Sequence, residues 1–596
     1  MTVKYQILLR ILDQIRSEAS EKHLKKYKPD ALELEKINQA RARALIHLYF
    51  KVSFGILSFE DREFLVTDGA YDGGIDGYYI DQDNKKIYLI QSKFRSTAEN
   101  FESKNISLDE ILRMDINRIL DGETMDEAGN EYSGKIKQLQ REVNNIADVA
   151  RYKYVVVVLA NTSEIPKEKL KILTGGHPVE IFDFNRCYEE LVFPVVAGSF
   201  FTAGDLSIPI DLSNKSSGSK ISYTVTTKIS DCEITVLFVP AIEIARIMHK
   251  YKNSVLKYNP RSYLELEGKS VNESIRQTII DSETNEFALY NNGITMLSDE
   301  TFINERIGQK NKAQLIVKNP QIINGGQTSY TLSRIYADRS PEEADEVFRG
   351  KEVLVKIITL INNESDHGKR QLIDEISNAT NKQTPVINAD KFANEVIHQN
   401  IQKKVFELFG LLYERKRGEF ADGVEMGYID KNSVIERNLF LRLVYASNGN
   451  PSKGNRRKLF SQNDFSDIEI ENPSVLNNFH IGYQVYLILA KENIEKRQKV
   501  NPSIYFSIMS YVTILGGVHS TMGESDIKQK VAELNRLSES IISEKSKSTT
   551  PTAFHKAKKN KKTGELRHSF RRDLYLNSKE FHDRLKAVAL GDCRTP

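Results

Sequence analysis

The spacing of apolar positions changes several times along this chain, and each change predicts an element. From about Pro29 to Phe50 the run DALELEKINQARARALIHLYF, rich in Ala, Leu, Glu and Arg, reads as a helix. Strand-like pieces follow at 62–66 (REFLV), 75–80 (IDGYYI) and 86–94 (KIYLIQSKF), the last two joined by the Asp- and Asn-rich turn DQDNK. After a polar stretch to about 135, a helix is predicted over roughly 135–150. The run YVVVVLA, around 153–159, is too continuously β-branched to be other than a buried strand, and VEIFDF at 179–184 reads as another. Helix, three strands, helix, strand, strand predicts an α/β domain over residues 1–190.

Residues 191–235 read as a connecting segment, with the polar loop SNKSSGSK at 213–220. The strand ITVLFVP and a helix from about Ala241 to Tyr251 then open a long mixed α/β stretch. From about 430 to 515 the pattern turns mostly helical, so 236–530 is taken as a second domain. Residues 531–596 read as a basic C-terminal tail. The predicted class is α/β: an N-terminal α/β domain followed by a large mixed α/β to α-helical region.

Length changes this picture little: 596 residues fit three or four domains of typical size. Charge changes it more. With 84 Lys and Arg against 81 Asp and Glu, the net charge of +3 excludes a uniformly basic nucleic-acid binder. That total hides an uneven distribution. Between Lys545 and Arg572 there are ten basic residues and one acid, Glu565, so this segment carries more positive excess than the whole chain. It reads either as a solvated extension or as a phosphate-contacting patch, with Lys558, Lys559, Lys561 and Lys562 at its centre. Cys187, Cys232 and Cys593 are too few and too far apart for a disulfide framework or a Cys-based zinc site. No run reaches the 18 apolar residues of a membrane helix, and the N-terminus lacks a signal-peptide pattern. A cytoplasmic protein that does not enter the membrane is expected.

The densest chemistry lies in DGAYDGGIDGYYIDQDNKKIYLIQSKF, residues 68–94. A hairpin there brings Asp76 close to Gln91 and Lys93, which share one face of the second strand. A carboxylate, an amide oxygen and a lysine at one point suit phosphodiester hydrolysis assisted by Mg2+, or alternatively Mn2+. One carboxylate makes a thin metal site, so a helper acid is expected, either Asp72 or Glu33 or Glu35 on the first helix. The backbone carbonyl of Ser92 is a further donor. This segment resembles the PD-(D/E)xK nuclease superfamily, in the variant with Gln at the second acid, as in Mrr-like restriction endonucleases. The resemblance implies a restriction-endonuclease-like fold, with Asp76 and Gln91 as metal ligands and Lys93 as the catalytic lysine.

Downstream, LYNNGI (289–294) and NPQIINGGQ (319–327) are Asn- and Gly-rich turns suited to phosphate or base-edge contacts through Asn291, Asn292, Asn324 and Gln327. NATNKQTPV (378–386) repeats that chemistry, and YERKRGEF (413–420) adds Arg415, Lys416 and Arg417 beside Tyr413. Each also reads as an ordinary capping turn or charged turn. Together with YNPRSYL (258–264), which contains Arg261, and VNESI (271–275), these motifs resemble the AIPR family, named for abortive infection and phage resistance. The resemblance implies a bacterial defence protein.

The combined expectation is a metal-dependent nuclease, DNA favoured over RNA, acting in anti-phage defence or restriction. It leaves room for a homodimer, a phage-derived activator or a defence-system partner. The alternative is a non-enzymatic nucleic-acid-binding sensor or scaffold of an abortive-infection system.

Overall fold

The computed structural model describes residues 3–82, 84–107, 114–163, 165–199, 205–211, 221–228, 231–256, 258–259, 269–305, 310–361, 375–376, 393, 395–416, 418–456, 464–465, 467–495, 503–516, 524–547, 553–559 and 566–590. The chain divides into two compact units. The first comprises Met1–Val386 and Lys416–Ser433, the second Ile387–Arg415 and Val434–Pro596.

The first unit begins with α1 (Val3–Ser17) and α2 (Leu34–Ser53). Of residues 62–66, predicted as a strand, 62–65 belong instead to a helix, α3 (Phe59–Leu65), and Val66 makes a single bridge to Gly77. The reason is local. Ser58 caps the helix by accepting from the Asp61 amide, Glu60 and Asp61 sit in its first turn, and Phe59, Arg62 and Glu63 are buried at helical spacing. Two strands, not three, therefore precede the next helices: β1 (Gly77–Asp81) and β2 (Lys86–Ser92), paired antiparallel from Gly77↔Ile90 to Asp81↔Lys86. Helices α4 (Ile116–Leu120) and α5 (Gly134–Asn144) lead to β3 (Lys153–Leu159) and β4 (Val179–Ile181). The sheet order is β1-β2-β3-β4, with β2, β3 and β4 parallel. Val155–Leu159 are buried throughout, as a central parallel strand covered on both faces requires. On one face Tyr78, Ile87 and Leu89 join Ile136, Leu139 and Val143 of α5 in one core. On the other, a Cβ at Gly77 would lie 3.1 Å from both Ile46 and Phe50 of α2.

Residues 191–235, read as a connection, carry strands. β5 (Asp205–Asp211) alternates buried Leu206, Ile208 and Ile210, and β6 (Ile221–Thr226) is followed by β7 (Asp231–Pro240). Next come β8 (Ile294–Ser298), β9 (Glu300–Asn304), β10 (Lys312–Lys318), β11 (Gln321–Asn324) and β12 (Glu352–Leu360). They form a three-stranded sheet, β5-β10-β9, and a five-stranded sheet, β11-β8-β12-β7-β6. Ile208, Leu315, Val239, Ile294 and Val355 share one core with Ile244 and Leu332 from the helices Ala241–Tyr251 and Gly326–Ala337.

The second unit is helical. Val396–Phe409, Arg437–Ser447, Pro473–Glu495, Ile504–Leu515, Glu524–Ser546 and Lys579–Ala589 are its main helices, and a short parallel pair joins β13 (Leu412–Glu414) to β14 (Val434–Glu436). Residues 531–596, read as a tail, contribute Val531, Leu534, Tyr575, Phe581 and Leu585 to its core. The basic segment contains an antiparallel hairpin, β15 (His555–Lys559) with β16 (Leu566–Phe570). Lys545, Arg572 and Arg584 pair with Glu580, Glu539 and Glu544. The apolar positions that fold this segment are spaced between lysines, so its composition concealed them.

His398 sits inside this unit, its Nδ1 2.7 Å from the Tyr413 hydroxyl. Burial, then the positive charges of Arg437 and Arg415, lower its pKa to about 3. The unfolded chain takes up a proton near 6.5 and the folded one does not, so stability is lost as pH falls from about 6.5 towards 3. His398→Gln is expected to flatten the dependence of urea-unfolding free energy on pH across this window. An unchanged slope would place the acid sensitivity elsewhere.

Candidate carboxylate site

The turn entering β1 is held in a strained path. Tyr71, Gly73 and Gly74 have φ of 59°, 60° and 71°, and a Cβ at Gly73 would come within 2.6 Å of the Ile119 side chain. Glycine removes that clash where α4 packs on the turn. The Asp72 carboxylate closes the loop from within, accepting from the Gly69 amide at 3.0 Å and the Gly74 amide at 2.9 Å. The Asp115 amide donates to the Gly73 carbonyl at 2.8 Å, and the Ser133 amide to the Tyr71 carbonyl at 2.9 Å.

This folding gathers three acids. Asp68, Asp72 and Asp76 each place a carboxylate oxygen within 4.8 Å of the others. Asp76 is clamped: its amide donates to Ile90, its carbonyl accepts from Thr67 and Asp68, and its Oδ2 accepts from the Ser92 amide at 2.6 Å. Ser92 thus meets Asp76 through its N–H. Gln91 lies opposite Asp76 in the continued β1–β2 register and is 4 % exposed. Lys93 follows the end of β2, its amide bonded to the Leu159 carbonyl at 3.1 Å, and it borders a pocket with Arg95 and Lys104.

The electrostatics are those of a crowded acidic site. Burial pushes the Asp76 carboxyl up to about 8; the Ser92 amide opposes this, the negative charges of Asp68 and Asp72 add to it, and Lys93 draws it down. Burial also raises Asp72. Asp68 is paired with Arg43 of α2, Nε to Oδ2 at 2.8 Å. One turn further along α2, His47 joins a buried group with Tyr27 and Glu63, His47 Nε2 lying 2.9 Å from the Tyr27 hydroxyl and 3.2 Å from Glu63 Oε2.

Asp76, Gln91, Lys93, Ser92 and Asp72 are therefore brought to one end of the β1–β2 pair. Glu33 and Glu35 are not in the carboxylate group. Both are exposed at the start of α2, Glu33 pairing with Lys36 at 2.6 Å. Glu35 is eight residues from Arg43, about 12 Å along a helix, so the residue α2 presents to the acids is a cation. Asp68 and Arg43 were missed. The four-residue spacing Asp68, Asp72, Asp76 within a Gly-rich segment is the signal that could have found Asp68, whereas nothing local distinguishes Arg43 from Arg41.

The downstream candidates separate. Asn324 ends β11, opposite Thr295 of β8, and Asn291 lies in the turn that precedes β8. The Asn291 side chain accepts from the Gly293 amide at 2.9 Å and donates to Thr328 at 3.2 Å, while Asn324 Oδ1 accepts from Gly325 at 2.7 Å. Gln327 donates to Asn272 at 2.9 Å, and Asn292 is exposed. These amides chiefly secure the two turns. Lys416 is only 4 % exposed and donates to the Leu256 carbonyl at 3.1 Å, a structural contact rather than an open phosphate site. Arg415 is half-buried in the second unit near His398. Lys558 and Lys559 lie on β15. Arg261, Arg417, Lys561 and Lys562 lie outside the described residues.

Among the described residues no helix is long and apolar enough to cross a membrane. No curated protein and no solved structure matches the chain. Residues 256–552 match the family described as AIPR protein, a range that contains the Asn-Gly turns at 291–293 and 324–326 and the helices of the second unit up to Glu524–Ser546. The C-terminal region of this chain belongs to the AIPR family.

Proposed function

We propose that the N-terminal α/β domain is a metal-dependent phosphodiesterase, an endonuclease with DNA favoured over RNA, and that the protein serves anti-phage defence. The observation that carries this reading is the convergence of Asp68, Asp72 and Asp76 beside Gln91 and Lys93. The donor set is hard and oxygen-rich, which fits Mg2+ or Mn2+. The raised Asp76 carboxyl fits too, since a buried acid beside two other acids retains a proton that a cation displaces.

A bound cation would polarise the scissile phosphate and acidify a water. Asp76 and its two neighbours would hold it, with the Ser92 amide fixing the Asp76 carboxylate and Arg43 fixing that of Asp68. Lys93 would place its ammonium against the charge that develops on the phosphoryl oxygens. Arg95 and Lys104, which share a pocket with Lys93, would hold the flanking backbone.

A second reading, a non-enzymatic nucleic-acid-binding sensor or scaffold, is favoured by two features. Gln91 is neutral where a second acid would bind metal more strongly, and both Asp72 oxygens already accept backbone amides. Cleavage of plasmid and of RNA with millimolar Mg2+ or Mn2+ separates the two. Asp76→Ala is expected to abolish cutting and Lys93→Ala to slow it by about 100-fold or more. Nucleic-acid binding without cutting under either metal would leave the scaffold.

A further inference from the structure

Two large aromatic side chains stand exposed on the stretch of chain that leads into and through the carboxylate group. Tyr71, in the turn between Asp68 and Asp72, is 55 % exposed, and Phe64 of α3 is 51 % exposed. Such rings ordinarily seek burial, and Tyr71 also holds a left-handed backbone conformation that a β-capable aromatic rarely adopts. Both are tied to the first turn of α5. The Ser133 amide, at the N-cap of α5, holds the Tyr71 carbonyl at 2.9 Å. Two residues on, Lys135 donates to the Phe64 carbonyl at 2.8 Å, and its ammonium lies 5.3 Å from the centre of the Phe64 ring. Two exposed rings, one with a cation beside it and the other next to Asp72, are thus anchored to the same helix turn.

We infer that Tyr71 and Phe64 are stacking platforms for unpaired bases, so that the substrate is single-stranded nucleic acid. This rests on the phosphodiester reading of the carboxylate group. Three points favour such an occupant over an apolar protein surface. The Phe64 ring has a cation against it, whereas a protein-docking patch is contiguous and depleted of charge at its centre. A strand with its phosphate near Asp72 and Asp76 necessarily leaves its bases within reach of the turn that carries those acids. Bases in a duplex have no free π-face to offer, whereas those of a single strand do.

The test uses the full chain and oligonucleotides of one mixed sequence containing 2-aminopurine, as single-stranded DNA, single-stranded RNA and duplex DNA. Binding is measured without divalent metal and cleavage with Mg2+. Single strands should bind more tightly than duplex, with the 2-aminopurine emission quenched. Tyr71→Ala should weaken single-strand binding by about 5- to 100-fold and relieve the quenching, with Phe64→Ala acting in the same direction. Tyr71→Phe should restore both, since it keeps the ring, and Tyr71→Asn, which tolerates the left-handed backbone, should behave as Tyr71→Ala. The DNA and RNA arms report which sugar is accepted. Unchanged affinity and quenching in Tyr71→Ala, or a preference for duplex, would overturn the inference. Loss of stacking in the variants without cutting by the wild type would sink the nuclease reading and leave the platform standing. Cutting of duplex unaffected by Tyr71→Ala would do the reverse.

Discussion

Asp76→Asn should raise the melting temperature at pH 8 by several degrees and abolish any stabilisation by Mg2+ or Mn2+. In the fold Asp76 keeps its proton up to about pH 8, whereas in the unfolded chain it gives it up near 3.8. Between these values the folded state carries the extra proton, so this group's contribution to stability falls as pH rises through the window. The full span of about four units corresponds to a ceiling of roughly 5 kcal/mol, which local relaxation and water reduce. Asn removes the titration and keeps an oxygen for the Ser92 amide. Variant and wild type should therefore melt alike near pH 4 and diverge as pH rises. A divalent cation should bring the wild type back towards the variant by mass action. Scanning calorimetry at three pH values, with and without metal, is sufficient. A variant that melts below wild type at pH 8 would show that the Asp76 carboxylate is stabilising and the acidic site is not strained.

Gly293→Ala should cost about 3 kcal/mol or more, while Gly350→Ala should cost only about 1 kcal/mol. Both glycines have positive φ, 82° and 71°, so both substitutions bear the conformational penalty. Only Gly293 meets an obstacle. Its added Cβ would lie 2.7 Å from the Leu354 carbonyl of β12, a backbone atom in the middle of the five-stranded sheet, whereas Gly350 faces open space. The difference between the two variants thus isolates the packing term. Urea denaturation of the full chain measures it, and equal losses would mean that β8 and β12 can part without cost. Gly293 lies in the AIPR-matched range, in the same turn as Asn291. The prediction therefore assigns that Asn-Gly motif a structural origin: its amide caps the turn and its glycine admits β12.

Several features were legible because they depend on neighbours in sequence. The β-branched run Val155–Leu159 could only be a buried strand, and β1, β2 and the helix Ala241–Tyr251 follow from short-range pattern and turn chemistry. The AIPR motifs were readable as a series, and the matched range contains those from Tyr258 to Gly418. Residues 62–66 were misread because three apolar residues in a row outweighed the Ser58 cap and the acidic first turn. The folded hairpin and helices within 545–590 were hidden by lysines, since charge density says nothing about a sparse apolar face beneath it.

The sequence by itself determined the α/β character of the first region, the helical character of the last, and the presence of Asp76, Gln91 and Lys93 on one hairpin. Tertiary structure alone decided which acids stand beside Asp76. Asp72 and Asp68 arrive because Gly73 lets α4 close on the turn, and Glu33 and Glu35 are excluded because a helix rises only about 1.5 Å per residue and presents Arg43 instead. It also decided that Lys416 is a buried strut and that Tyr71 is an exposed ring. Burial and approach across the chain depend on packing between distant segments, and no local spacing encodes them.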